Sequence, residues 1–530
     1  MKILVAEPVA PAALALLRAQ SDWDIVVADP KSYAAHLADA DALLVRSAVK
    51  VTKEVLAAAP KLRAIGRAGV GVDNVDLPAA TEAGVLVMNT PGANAVSVAE
   101  HTLAFMLSMA RSVPQASAST KAGKWEKKKF LGNELRGKTL GIVGLGSIGR
   151  EVVKRARPFE MRIIGHDPYI SSQSARDLGI ELVSLEDLYR ESDYITLHVA
   201  LTPETDRMLN AEAFRQMKTG VRIVNCARGE LIDQTALQDA IVAGKVGGAA
   251  LDVFETEPPG ENPLFTLDPI VATPHIAGST EEAQEIVGIR IVEQLIEYLK
   301  SGVALNAVNM PALTPEQYRT LGPYIDLAER LGLFLSHIAP GNAHTIRFSY
   351  YGRLAENNTQ LLRNAGLAGV LSRSMEHRAN LVNAMQIATQ RGFRVIEQLE
   401  PGEAHMDSIR MEIDSEAGTF SAVGAVVLDK PRLLQVEGIS CEATLDGNLM
   451  YSKSEDVPGV IGYLGTVLGK NGVNIASFAL GRQEGLQAAA QPLTAISIIE
   501  TDEPVPDNLL SQLFENKAVK FIRRVNLARG

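Results

Sequence analysis

The sequence predicts an α/β protein with parallel sheets, followed by two smaller α+β units. Three observations carry that expectation. Strand-like apolar runs alternate with amphipathic helical stretches through the first 300 of the 530 residues, as in parallel sheets covered by helices on both faces. A Gly-rich turn, Gly144-Leu-Gly-Ser-Ile-Gly149, joins one such run to a helical pattern. The texture then changes after about residue 310, and the chain ends in a β-α-β-β-α-β order, that of a ferredoxin-like sandwich.

The elements follow in order. Strands are expected at Ile3–Ala6, Ala42–Arg46, Leu62–Gly66 and Val85–Met88, and a long apolar helix runs from Ser97 to Ser112. Further strands fall at Thr139–Val143, Met161–His166, Tyr194–His198, Arg222–Asn225, Gly248–Asp252 and Ile270–Thr273, before a helix at Glu281–Ser301. The segment Val308–Pro315 has two prolines and few large apolar residues, so it is expected to be a linker. Two helical patterns follow, then β-like runs at His344–Tyr350, Ser408–Ile413 and Thr419–Leu428, with no titratable constellation among them. The last unit reads as strand Leu449–Lys453, helix Gly459–Lys470, strands Asn474–Leu480 and Leu493–Glu500, helix Pro506–Glu515 and strand Val519–Val525.

Composition removes several function classes. With 46% apolar and 22% charged residues the chain can bury a sizeable core. The net charge of −10 and the shortness of the densest basic run, Lys127–Lys129, speak against nucleic acid. Only Cys226 and Cys441 are present, which suits a reducing cytoplasm better than a disulfide framework. The start of the chain reads as a strand without a signal-peptide pattern, and no uncharged apolar stretch is long enough to span a membrane. No repeat of fixed period and no metal-ligand cluster emerges.

The Gly-rich turn has the strand–turn–helix context of a dinucleotide-binding unit. Gly144 makes the tight turn, Gly146 lets backbone approach a pyrophosphate, and Gly149 packs helix on strand. An anion there meets the free N–H groups of a helix start. Asp167 ends the next strand, about 20 residues on, where a carboxylate accepts from ribose hydroxyls. No Arg or Lys follows closely, so NAD is expected rather than NADP.

Three residues beyond that turn complement one another. Arg228 follows a strand end and can clamp a 2-oxo acid carboxylate bidentately. His275 also follows a strand end, and its ordinary pKa suits taking the hydroxyl proton as a secondary alcohol loses hydride. Glu257 is a carboxylate available to orient that imidazole. Each alone reads as an ordinary surface or structural residue; together they describe a dehydrogenase for 2-hydroxy acids.

With Asn225-Cys-Ala-Arg-Gly-Glu230, Leu251-Asp-Val-Phe-Glu255, Glu257-Pro-Pro259 and Pro274-His-Ile-Ala-Gly278 added, residues 1–306 resemble the D-isomer-specific 2-hydroxyacid dehydrogenases. The resemblance implies that Arg228 clamps substrate, Glu257 partners the histidine and His275 is the acid/base. It also puts Gly144, Gly146, Ser147, Ile148, Gly149, Asp167, Cys226, Ala227, Arg228, Asp252, His275 and Gly278 on NAD. The implied fold is a flavodoxin-like substrate domain from 1–98 and 280–306, with a Rossmann-like NAD domain inserted at 99–279.

Within the family, phrases such as Gly66-Arg-Ala-Gly-Val-Gly-Val-Asp-Asn74 and Gly123-Lys-Trp-Glu-Lys-Lys-Lys-Phe130 are most similar to the long branch acting on D-3-phosphoglycerate. That likeness implies oxidation to 3-phosphohydroxypyruvate, the first step of L-serine biosynthesis. It adds an intervening, allosteric-substrate-binding-like domain at 310–445 and an ACT domain at 448–530. Val70 departs from the branch, whose members often carry a polar residue there. For substrate, Arg46, Ser47, Arg67, Asn94 and Lys127 are the expected contacts, with the lysine stretch reaching a neighbouring subunit's site. Asp456 and Asn474 are the expected contacts of an L-serine effector, and a homo-oligomer, dimer or tetramer, is expected. Two other readings remain: a sibling reductase of glyoxylate or hydroxypyruvate, and a non-catalytic NAD-sensing corepressor.

Overall fold

The computed structural model describes residues 1–372, 379–402, 406–483 and 493–527. Its first sheet contains strands Lys2–Val5, Asp24–Val27, Ala42–Val45, Ala64–Arg67 and Leu86–Met88, all parallel. Their spatial order is 2-1-3-4-5, the flavodoxin-like winding. Asp24–Val27 was not anticipated: it is a short edge strand with partly exposed residues and no buried alternation.

The second sheet has seven parallel strands, with Thr139–Val143 in its interior between Arg162–His166 and Tyr194–Leu197. Counted from Thr139–Val143, the order is 3-2-1-4-5-6-7, the Rossmann winding extended by one strand. The point where the order reverses lies beside the Gly-rich turn, where ligands of open α/β sheets bind. All five residues of Thr139–Val143 are buried, as expected for a strand covered on both faces.

The helix Glu281–Ser301 carries the chain back to the first sheet. Thr280 caps its start by accepting the Ala283 N–H, two glutamates occupy the first turn, and Gly302 ends it in a left-handed conformation. Its Val287, Ile291 and Leu295 pack with Ile3, Leu44 and Leu86 in one core. Gly66 admits this contact, since a Cβ there would lie 2.7 Å from Leu295. The helix Ala95–Arg111 stops at left-handed Ser112, and a second helix, Val113–Lys121, continues with a proline in its first turn.

The expected linker is pinned instead of free. Val308 donates to the Val87 carbonyl, Ala307 bridges Met88, and Asn309 bonds Val85 and Val87 backbone. The edge of the first sheet is thereby covered at Val85–Met88, a contact that proline content does not reveal.

Beyond it, helix Pro315–Ile338 starts with a reciprocal cap between Thr314 and Gln317. It packs on a six-stranded sheet that includes three strands not anticipated, Arg394–Glu400, Lys430–Val436 and Ile439–Thr444. The last sheet is antiparallel with order 2-3-1-4 along Asn448–Glu455, Ile475–Arg482, Thr494–Thr501 and Val519–Asn526, as expected of a ferredoxin-like unit. One face holds helices Val460–Lys470 and Asp507–Leu513. The other buries Tyr451, Ile496 and Ile498 against Phe334, Val436 and Cys441 of the preceding unit. Among the described residues no helix is long and apolar enough to cross a membrane.

Candidate active site

The Gly-rich turn is built as its glycines require. Gly144 has φ +92°, and a Cβ there would meet the His198 carbonyl at 2.5 Å. A Cβ on Gly149 would stand 2.1 Å from the Gly144 carbonyl, whereas Gly146 opens on empty space. The helix Ser147–Ala156 starts there with no side-chain cap, leaving its first N–H groups for an anion. Asp167 accepts the N–H groups of Leu145 and Tyr169, each at 2.8 Å, so it ties the turn.

Facing that turn is a cleft of about 1100 Å³ between the two parallel sheets. Its wall includes Arg46, Ser47, Arg67, Asn94, Ile148, Cys226, Ala227, Arg228, Asp252, Glu257, His275 and Gly278. The expected residues that chain spacing separates by more than 200 positions therefore line one space. Of the other expected residues, Gly144, Gly146, Ser147, Gly149 and Asp167 belong to or tie the Gly-rich turn and do not line the cleft, and Lys127 is exposed and does not line the cleft of its own chain.

His275 Nδ1 lies 2.7 Å from Glu257 Oε2. Glu257 Oε1 accepts the Phe254 N–H at 3.1 Å, which fixes the carboxylate. The ring nitrogen facing a carboxylate carries the proton, leaving Nε2 as the free acceptor. His275 has φ +53°, an uncommon conformation for a side-chain-bearing residue. Asp252 holds it there. This fully buried carboxylate accepts from Ile276 N–H and Ala277 N–H at 2.8 Å and from the Thr273 hydroxyl. Behind Thr273 sits His101, whose pKa burial pushes down while the Asp252 charge pulls it back up.

Arg228 is set by Asn225, whose side chain donates to the Arg228 carbonyl and accepts the Ala227 N–H. Gly229 next to it lets the Phe254 backbone pass at a distance where a Cβ would be 2.0 Å away. Across the cleft, buried Glu7 accepts the N–H groups of Arg46, Ala48 and Val49 and so shapes the loop bearing Arg46 and Ser47. Burial pushes the Arg67 pKa down, and its Nε has no partner. Asn94 Oδ1 is likewise buried and unpaired. Unsatisfied buried groups on a cleft wall are what a bound polar ligand would complete. Cys226, by contrast, is buried and its thiol pKa is pushed up by desolvation, so it is wall and no nucleophile.

Two chain segments match family models. Residues 103–277 match the D-isomer specific 2-hydroxyacid dehydrogenase NAD binding domain, and residues 320–437 match the D-3-phosphoglycerate dehydrogenase intervening domain. A D-3-phosphoglycerate dehydrogenase of Methanocaldococcus jannaschii is 43% identical over 99% of this chain and 100% of its own. One from Archaeoglobus fulgidus is 40% identical over 96% of this chain and 97% of its own. The chain belongs to the D-3-phosphoglycerate dehydrogenase family.

Solved relatives agree on the catalytic part. A D-lactate dehydrogenase of Aquifex aeolicus, complexed with NAD and lactic acid, superimposes with a TM-score of 0.52 at 30% identity, covering 59% of this chain and 100% of that one. A Thermus thermophilus protein gives 0.54 at 37% identity, with 58% and 100% covered. As a family member the chain is an NAD-dependent oxidoreductase. The open face of Gly146, the uncapped helix start and Asp167 fit that cofactor, and no basic residue stands at 168–171 to hold a 2′-phosphate.

The candidate effector residues are occupied. Asp456 accepts from Arg482 Nη2 at 2.6 Å, and Asn474 donates to Asp502 at 2.8 Å. Sequence patterns missed Glu7, Asn225 and Asp73. The first two act through backbone partners that only folding supplies, and the third becomes a site residue only across the cleft.

Proposed function

We propose that the chain oxidises D-3-phosphoglycerate to 3-phosphohydroxypyruvate with NAD, the first committed step toward L-serine. The observation that carries this reading is the His275–Glu257 pair on one cleft with Arg228, Arg46 and Arg67. The guanidinium of Arg228 holds the C1 carboxylate and turns C2–H toward the nicotinamide position. His275 Nε2 accepts the C2 hydroxyl proton, and Glu257 stabilises the imidazolium that results. NAD supplies the acceptor for the two electrons and hydrogen leaving C2. Arg46 and Arg67, with Ser47 and Asn94, receive the phosphate, a group that the partnerless Arg67 Nε suits.

The division into a substrate domain (1–98, 280–306), an NAD domain (99–279), an intervening domain (310–445) and an ACT domain (448–530) belongs to this reading. So does assembly through the helix Ala95–Arg111, where Val96 and Leu107 stay exposed, which would bring Lys127 to a second subunit's cleft. L-serine is the proposed effector at Asp456 and Asn474. It must displace Arg482 from Asp456, so Arg482→Ala should change serine affinity in calorimetry.

Nicotinamide absorbance tests the main reading directly. D-3-phosphoglycerate should be oxidised far faster than D-glycerate or D-lactate. Equal rates on all three would leave a general 2-hydroxyacid dehydrogenase.

A further inference from the structure

Arg228 already has a carboxylate partner. Its Nη2 donates to Asp73 Oδ2 at 2.9 Å, and its Nη1 donates to the Ala227 carbonyl at 2.7 Å. Asp73 lies in the loop after strand Ala64–Arg67 of the first sheet, while Arg228 follows strand Val221–Asn225 of the second. The pair therefore joins the two lobes across the mouth of the cleft. Gly71 makes room for it, because a Cβ there would stand 2.1 Å from Arg228 Nη2 and 2.8 Å from Asp73 Oδ2.

Nothing in the proton or electron transfer requires this pair. Of the carboxylates whose charge acts on Arg67, Glu7 is saturated by three backbone N–H groups. Asp73 is different: its side chain is 71% exposed and held by the guanidinium. An incoming C1 carboxylate must share Arg228 with it and approach a like charge. A substrate with only that carboxylate has nothing to offset the repulsion. A substrate with a second anionic group is first anchored near Arg46 and Arg67, and its carboxylate then competes at high effective concentration.

We propose that Asp73 is a specificity-determining positioning residue: by occupying part of the Arg228 donor fork it disfavours 2-hydroxy acids that carry a single carboxylate, relative to those that carry a second anionic group. This rests on Arg228 being the carboxylate clamp. The pair is partly exposed, so its effect is modest. Exposed ion pairs contribute free energies equivalent to about two- to five-fold in an equilibrium constant, and the selectivity change should be of that order.

The test uses the full chain with NAD, as wild type, Asp73→Asn, Asp73→Glu and Arg228→Ala. Two quantities are read: KM and kcat for D-3-phosphoglycerate, and the inhibition constant of D-glycerate against it, which reports single-carboxylate affinity even where turnover is slow. In Asp73→Asn, D-glycerate should bind about two- to five-fold tighter, with KM for the phosphorylated substrate changed by less and kcat retained. Asp73→Glu should return both toward wild type. A parallel weakening of both ligands, or a fall in kcat alone, makes Asp73 structural and overturns the proposal. Arg228→Ala separates the layers. If it weakens both ligands while Asp73→Asn leaves their ratio unchanged, the clamp stands and the role of Asp73 is lost. If Arg228→Ala weakens neither, both readings go.

Discussion

The catalytic cleft and the C-terminal unit place their polar groups in opposite ways. In the cleft, a buried carboxylate with three donors, Asp252, fixes the loop that carries a half-exposed histidine. At the C-terminal end, Asp456 and Asn474 are bonded to the side chains of Arg482 and Asp502 within the same sheet unit. The first arrangement spends internal bonds on supports and leaves the proton acceptor, His275 Nε2, free, although Arg228 is shared with Asp73. The second spends them on the candidate ligand groups themselves. A site held by its second layer is preorganised for a ligand, whereas a site whose own groups are paired must exchange partners to bind one.

The largest test of the cleft is removal of its reacting groups. His275→Ala and Arg228→Ala should each lower turnover by about two to four orders of magnitude, the usual range for a lost acid/base or charge-stabilising group. NAD binding measured by fluorescence should survive Arg228→Ala. Near-wild-type turnover in either variant would falsify the assignment.

Removing the support should act on stability as well as rate. Asp252→Ala leaves the N–H groups of Ile276 and Ala277 and the Thr273 hydroxyl without their acceptor. Buried donors left unmade cost about 1–3 kcal/mol each, so thermal unfolding should drop by several degrees along with kcat. If only NAD affinity falls and the melting temperature holds, Asp252 is a cofactor contact and not an anchor.

How much of this was legible differs between the same two regions. The parallel sheets could be read because buried strands such as Thr139–Val143 are short apolar runs with a turn residue at the end. The glycine roles could be read because each follows from a fixed backbone need. Edge strands were lost: Asp24–Val27 and the two-residue Glu181–Leu182 bury too little to leave a pattern. Lys430–Val436 and Ile439–Thr444 were lost for another reason. They form a hairpin around left-handed Glu437 and Gly438, and their irregular register blurs the alternation. The bridging of Val308 to the first sheet was invisible because Val-Asn-Met-Pro reads as a breaker until its edge-strand partner is known. In the site, titratable motif residues were found, while Glu7 and Asn225 were not, since their partners are backbone groups.

Asp167, which ties the Gly-rich turn facing the cleft, offers a smaller effect. On the role proposed for it, Asp167→Ala would remove a ribose acceptor and a charge that repels a 2′-phosphate, and a charged hydrogen bond contributes about 1.5–3 kcal/mol. The Kd for NAD should rise about ten-fold or more, and the preference over NADP should narrow. Because Leu145 N–H also loses its partner, Asp167→Asn should keep more NAD affinity than the alanine. Equal use of NADP by the wild type would contradict the role given to this carboxylate.

The smallest effect lies where the C-terminal sheet meets the unit before it. Tyr451 is buried, donates to Glu437 at 3.0 Å, and sits between Phe334 and Phe521 in edge-on contacts. Lys453 reaches the other oxygen of the same glutamate at 2.6 Å. Glu437 thus receives two bonds from a strand of the last sheet while standing on the hairpin of the previous one. If the two units move as a single body, cutting one of these bonds should loosen their contact without touching the cleft. Tyr451→Phe keeps the ring packing and removes only the hydroxyl, so it should cost about 1 kcal/mol of stability and leave kcat and KM unchanged. Hydrogen exchange should rise in Ile439–Thr444 and Asn448–Glu455 together. A rise in one strand alone would mean that the two sheets are held by their apolar faces and that Glu437 carries no part of the joint.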